Sequence, residues 1–206
     1  MTDTQQKTTE RTRWVAFFSQ TGSEIAAISQ SLDRWPDYIV TNRMDDEGIN
    51  PAVLRTINYR TAKEGRSTLI RIPKWPKEVD YMNIADYMGF SILNEKWKDN
   101  VLVTLHGYLR ILPAVFCDNT KIYNGHPGLI TKYPELKGFN PQKKAFEAGT
   151  YETVGSVIHE VIPELDSGDV VASGEIKNDF DDLEDCTVAL HDLSIQLWSK
   201  FLKNKV

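Results

Sequence analysis

The chain alternates short, wholly apolar runs with longer stretches in which apolar residues recur at helical spacing. Trp14-Val15-Ala16-Phe17-Phe18 has no polar position, so it fits a buried strand. A Thr-Gly turn follows, and Thr21 with Glu24 three residues on matches a capping box. Ile25, Ile28, Ser29 and Leu32 then fall at i, i+3, i+4 and i+7, which predicts a helix packed back on that strand. Tyr38-Ile39-Val40-Thr41, after the Trp35-Pro36-Asp37 turn, predicts a second strand. Strand, helix and strand in that order begin a mostly parallel α/β sheet flanked by helices.

The same reading extends along the chain. A short helix is expected from Asn50-Pro51 to Ile57, with the polar stretch Asn58–Arg66 as a surface loop. A strand is expected over Ser67–Ile72, closed by Pro73, and a helix over Val79–Met88. Val101–Leu105 is a second all-apolar strand but for Thr104, and Ile122-Tyr123 a brief one leading into Asn124. Gln142–Ala148 predicts a helix, Val154–Val161 and Val170–Ile176 strands. A last helix, from about Asp182 to Lys203, carries Leu190, Leu193, Leu197, Trp198 and Phe201 as its buried stripe. Parallel sheets bind ligands at the carboxyl ends of their strands. Gln20–Ser23, His106-Gly107 and Asn124 each follow a predicted strand, so they are expected on one edge.

Length and charge narrow the function. A chain of 206 residues with 41% hydrophobic content fits one domain, expected over residues 13–206, behind a flexible polar tail at 1–12. A net charge of −5 argues against a nucleic-acid binder. No run of eighteen apolar residues is present, so no membrane span is expected. The tail lacks the apolar core of a secretory signal, and Cys117 and Cys186 lack metal or redox spacing. A reducing cytoplasm is the expected setting. Nothing here sets the oligomeric state.

The chemistry concentrates between Tyr123 and Val171. Asn124-Gly125-His126-Pro127 offers an amide donor and an imidazole that exchanges protons near neutral pH. Glu164-Leu165-Asp166-Ser167-Gly168-Asp169 offers a carboxylate that can orient that imidazole. Asn124 and His126 are two apart and share a face if the segment is extended. Asp169 is a decoy in the same loop.

These motifs resemble those of the folate-dependent formyltransferases. Asn124–Pro127, the Leu129-Ile130-Thr131-Lys132-Tyr133-Pro134 run, Ser156-Val157-Ile158-His159, Pro163–Gly168 and Gly107-Tyr108-Leu109-Arg110-Ile111-Leu112 stand in the family's order. The resemblance spans roughly Trp14 to Lys203 and is closest to the branch that formylates glycinamide ribonucleotide. It implies a formyl transferase catalytic domain that moves a formyl group from 10-formyltetrahydrofolate to a primary amine, without a metal. It assigns Asn124, His126 and Asp166 to catalysis, choosing Asp166 over Asp169. The folate would lie against Leu109, Arg110 and Ile111 as well as Asn124 and Asp166. A small, phosphorylated amine would meet Thr21, Gly22, Ser23 and Glu24 at a helix N-terminus, with His159 in a supporting role.

Two acceptor-side positions depart from the family pattern: Glu24 replaces an Asn, and Ser194 stands where the final helix supplies a Glu to ribose hydroxyls. His106 replaces a small residue, and Lys137–Pro141 replaces a His-rich stretch. The acceptor therefore has competing readings: glycinamide ribonucleotide, or another amino-nucleotide or amino-sugar nucleotide. Water as acceptor would make the chain a formyltetrahydrofolate hydrolase, and a folate- or nucleotide-binding protein without turnover is the fourth reading.

Overall fold

The computed structural model describes residues 11–88 and 100–206; residues 1–10 of the expected tail lie outside the described residues. Its centre is one seven-stranded sheet. Five strands run parallel: β1 (Arg13–Phe18), β2 (Tyr38–Thr41), β3 (Leu69–Arg71), β4 (Val101–Leu105) and β5 (Lys121–His126). Strands β6 (Thr153–Glu160) and β7 (Val170–Lys177) add antiparallel to β5. The order β3-β2-β1-β4-β5-β6-β7 reverses direction between β1 and β4. A crevice opens at the carboxyl ends of two such strands, because their connections leave in opposite directions.

The apolar run of β1 is divided between the two faces of the sheet. Val15 and Phe17 join Tyr38, Val40, Tyr81, Ile84 and Phe116 on one side. Trp14, Ala16 and Phe18 join Ile25, Ile28, Val53, Trp198 and Leu202 on the other. That is why the run from Trp14 to Phe18 carries no polar side chain. A third cluster, with Leu129, Leu136, Val157, Cys186 and Leu190, sits under the antiparallel end. Cys117 and Cys186 are buried and unpaired, and burial pushes the Cys117 thiol up to about 11, which leaves it unreactive.

Among the described residues six α-helices cover the sheet: α1 (Ser23–Leu32), α2 (Pro51–Glu64), α3 (Glu78–Tyr87), α4 (Ala114–Asp118), α5 (Pro141–Ala148) and α6 (Leu183–Leu202). Three differ from the pattern expectation. The polar stretch from Asn58 is not a loop but the second half of α2, whose C-cap is Gly65 at φ +70°. Only Val53 and Ile57 of that helix are buried, so its outer face is polar because it is solvated. The five residues of α4 are too few to show a period. The third difference lies at α1, where Gly22 is the N-cap in a left-handed conformation and no side chain caps the helix. Thr21 and Glu24 do not form a capping box; Thr21 Oγ1 instead accepts from the Ser23 N–H at 3.2 Å.

Trp14 links the core to the crevice. Its indole Nε1–H donates to Thr104 Oγ1 at 2.8 Å, and both side chains are fully buried. Trp14→Phe removes the donor and some packed volume. It is expected to lower the unfolding free energy by about 2 kcal/mol, read from the urea midpoint at unchanged slope.

Candidate active site at the carboxyl edge of the sheet

A cavity of about 510 Å³ opens where β1, β4 and β5 end, and the predicted segments converge on it. Gln20–Glu24 follow β1 and His106-Gly107 follow β4. Asn124 and His126 are not in a loop, however: both lie inside β5, on one face by the two-residue period. A strand holds them more rigidly than a loop would. Across the antiparallel ladder Asn124 is opposite His159 of β6, which brings a second imidazole to the site.

Asp166 closes the constellation from the turn after β6. Its Oδ2 lies 3.5 Å from His126 Nδ1 and its Oδ1 lies 3.5 Å from His159 Nε2. The residue sits at φ +46°, a left-handed conformation that Asp tolerates better than most side chains. The Gly138 N–H donates to Oδ2 at 2.8 Å, so the segment that departs from the family after Leu136 anchors this carboxylate. Asp169 engages β6 through its backbone carbonyl, which accepts from the Glu160 N–H at 2.9 Å.

Hydrogen-bond partners set the proton positions. His126 Nε2 lies 2.9 Å from the Leu136 carbonyl, which only accepts, so Nε2 carries a hydrogen. Nδ1 is then the nitrogen that exchanges a proton, facing Asp166. Burial holds the His126 imidazole below its ordinary value, and the Asp166 charge partly offsets this. For Asp166 burial acts upward, but hydrogen bonds from His159 and the Gly138 N–H, with the two imidazoles' charge, hold it below the usual carboxylate range. His159 Nδ1–H donates to the Glu160 carbonyl at 2.7 Å. With the ring hydrogen on Nδ1, Nε2 accepts from the Asn124 amide Nδ2–H at 3.1 Å and lies 3.5 Å from Asp166 Oδ1.

The opposite end of the cavity is organised around Glu24. Its Oε2 lies 2.7 Å from His106 Nδ1, and Ser194 of α6 bonds the same carboxylate. His191, one α6 turn earlier, lies 3.4 Å from Ser23 Oγ through Nε2. Burial would raise the Glu24 carboxyl, but His106, Ser194 and His191 together hold it below its ordinary value.

Of the apolar residues that line the cavity, Ile111 is 77% exposed and Leu109 is half exposed, and Ile162 and Leu165 are exposed as well. The Leu109 N–H donates to Ser19 Oγ at 2.9 Å. Arg110 does not extend freely into solvent: Nε donates to the Lys74 carbonyl at 2.8 Å, and the guanidinium lies 4.1 Å from the Trp75 ring centre. Among the described residues no group of three or more His, Cys, Asp or Glu side chains is placed to hold a metal, and no helix is long and apolar enough to cross a membrane.

Sequence reading brought Asn124, His126 and Asp166 to one cavity, and the structure places them there together. It missed the Glu24–His106 pair and the contact of His159 with both Asn124 and Asp166. The departures at positions 24, 106 and 194 were the available signal, but nothing in one sequence links residues that far apart.

Fold and site together define an α/β enzyme whose switch-point cavity is equipped for proton-coupled transfer. The formyl transferase family model matches residues 13–201, and the chain belongs to that family. It is 35% identical over 147 residues to a phosphoribosylglycinamide formyltransferase of Dictyostelium discoideum, covering 67% of this chain and 68% of that protein. It is 28% identical over 148 residues to formyltetrahydrofolate deformylase 2, mitochondrial, of Arabidopsis thaliana, covering 72% of this chain and 36% of that one. A phosphoribosylglycinamide formyltransferase from Campylobacter jejuni shares the fold, with a TM-score of 0.69 at 22% identity over 92% of this chain and 94% of that one.

Proposed function

We propose that the chain, with residues 13–206 as its catalytic unit, transfers the formyl group of 10-formyltetrahydrofolate to a primary amine. The amine of glycinamide ribonucleotide is the proposed acceptor, a step of purine synthesis, in line with the activity named for the Dictyostelium relative. The observation that carries the reading is Asp166 held between His126 and His159, beside Asn124, in one cavity. The two buried, unpaired thiols fit a reducing, cytoplasmic setting.

In this mechanism the amine attacks the formyl carbon and the carbonyl oxygen gains the negative charge. The Asn124 amide has two N–H donors; one is spent on His159, leaving the other for that oxyanion. The amine proton passes to His126 Nδ1, directly or through water, and Asp166 pairs with the imidazolium formed. The imidazolium then protonates the departing folate nitrogen, giving the N-formyl amine and tetrahydrofolate. Leu109 and Ile111 supply the apolar wall for the folate ring system, and Arg110, stacked on Trp75, a fixed positive charge at the mouth. Identification of the N-formyl product by mass spectrometry tests the reading; folate binding without any such product would overturn it.

The acid limb of the rate gives a further check. His126 must be neutral to accept the proton, and its folded-state value lies below the ordinary imidazole value. With the protonation of the amine substrate itself divided out, kcat/KM is therefore expected to hold as pH falls to about 6.5 and to drop only below it. The Asp166 charge raises the His126 value, so Asp166→Asn should move the residual limb to still lower pH. A limb above pH 6.5 that persists after the amine's own protonation is divided out, or one that Asp166→Asn moves upward, contradicts the assignment.

A second reading, an amine on another amino-nucleotide or an amino-sugar nucleotide, is favoured by the carboxylate of Glu24 at the start of α1.

A further inference from the structure

The cluster at the α1 end of the cavity takes no part in the proton transfers above. Its carboxylate is built in rather than incidental. The Glu24 side chain is 14% exposed and that of His106 is fully buried. His106 Nε2 lies 2.8 Å from Thr104 Oγ1, the atom that accepts from the Trp14 indole. Trp198 packs on the His106 ring with centroids 4.7 Å apart. A run of hydrogen bonds thus connects the core to the Glu24 carboxylate, and Ser194 holds it from α6. So fixed, the carboxylate cannot swing aside for a ligand without leaving buried His106 unpaired.

This arrangement dictates what the end of the cavity accepts. A helix N-terminus favours anions because its first N–H groups and dipole point outward. Here a side-chain anion in the first turn already supplies that charge, and a phosphate placed beside it would meet like charge at low dielectric. Hydroxyl groups meet the opposite situation, since a carboxylate has acceptor sites beyond those used by His106 and Ser194. Thr21 and Ser23, whose hydroxyls are hydrogen-bonded to each other at 3.0 Å, line the same cavity.

We propose that Glu24, positioned by His106 and Ser194, selects the acceptor: it takes the hydroxyl hydrogens of an amine on a sugar-type body, and a phosphate at the start of α1 adds no affinity. The inference rests on the reading of the chain as an amine formyltransferase and narrows the amine it takes.

The test uses the full chain and its Glu24→Gln variant, which keeps shape and removes charge. Initial rates at saturating 10-formyltetrahydrofolate are compared for glycinamide ribonucleotide and its dephosphorylated ribonucleoside. Wild type is expected to show KM values for the two amines within about threefold, and Glu24→Gln to raise that of the ribonucleoside about tenfold. A wild-type KM at least about tenfold lower for the phosphorylated amine, or two KM values unmoved by Glu24→Gln, overturns it. Calorimetric titration with inorganic phosphate needs no turnover. Glu24→Gln is expected to bind it at least about tenfold more tightly than wild type, and equal binding overturns the proposal. Should Glu24→Gln not fold, Glu24→Asp serves: it keeps the charge and must still bind phosphate no better than wild type. Absence of transfer to any amine, with the phosphate arm as expected, would defeat the transfer reading while leaving the selection by Glu24 standing.

Discussion

Asp166→Asn is expected to lower kcat/KM for formyl transfer by about 10³-fold while the protein stays folded. The substitution is nearly isosteric, and Asn occupies the left-handed conformation at φ +46° as readily as Asp. The side-chain oxygen can still accept from the Gly138 N–H. What disappears is the charge shared by His126 and His159. Without it the imidazolium formed during the reaction stands in a buried site with no counter-charge, and the amide N–H, at the position of Oδ1, faces His159 Nε2 instead. Circular dichroism should show an unchanged fold, and stability at low pH should respond in a defined direction. The folded-state value of Asp166 lies below its unfolded one, so its contribution is present above the ordinary carboxylate range and lost as pH falls through the folded value. The variant should lack that part of the acid-induced loss of stability. Turnover within a few-fold of wild type would remove Asp166 from the mechanism.

Asn124→Ala is expected to reduce kcat on the order of 10²–10³-fold, with a smaller change in KM. One amide hydrogen is committed to His159, and the other is the donor available to a developing oxyanion. A donor whose partner appears only in the transition state affects kcat more than substrate binding. The backbone should tolerate the change, because Asn124 is half-buried in a strand whose ladder bonds come from the main chain. Steady-state kinetics separate the outcomes: a rise in KM at unchanged kcat would make Asn124 a binding residue only.

The sequence revealed most where a residue's environment is decided locally. Trp14–Phe18 and Val101–Leu105 read as buried strands because each is covered on both faces, leaving few positions where water would favour a polar side chain. Asn124 and His126 share a face because strand geometry alternates, whatever the rest of the fold does. Asp166 was distinguished from Asp169 by motif order alone, as turn chemistry suits both. Local reading failed where a distant partner decides. Glu24 has the spacing of a capping box, but His106, 82 positions away, offers it a buried, charge-assisted partner that a cap cannot match. His159 contacts Asn124 only because β6 turns antiparallel, a reversal that no period in either strand announces. The second half of α2 was hidden because a helix that buries two residues leaves too faint a stripe to separate from a polar loop.

The close approach of α6 to β5 also escaped local reading. A Cβ added at Gly125 would come within 2.6 Å of Trp198 Nε1, so the glycine between Asn124 and His126 lets α6 press against the strand that carries both. The same indole packs on His106, tying β5 and the Glu24–His106 pair to one buried side chain.

Whether this cavity moves a formyl group onto an amine is open to direct measurement. Release of tetrahydrofolate from 10-formyltetrahydrofolate, followed by absorbance with and without glycinamide ribonucleotide, tests it most directly. Release is expected to require the amine, to saturate with it and to be matched by formylated product. Release at the same rate without any amine would show that water is the acceptor and that the chain is a hydrolase.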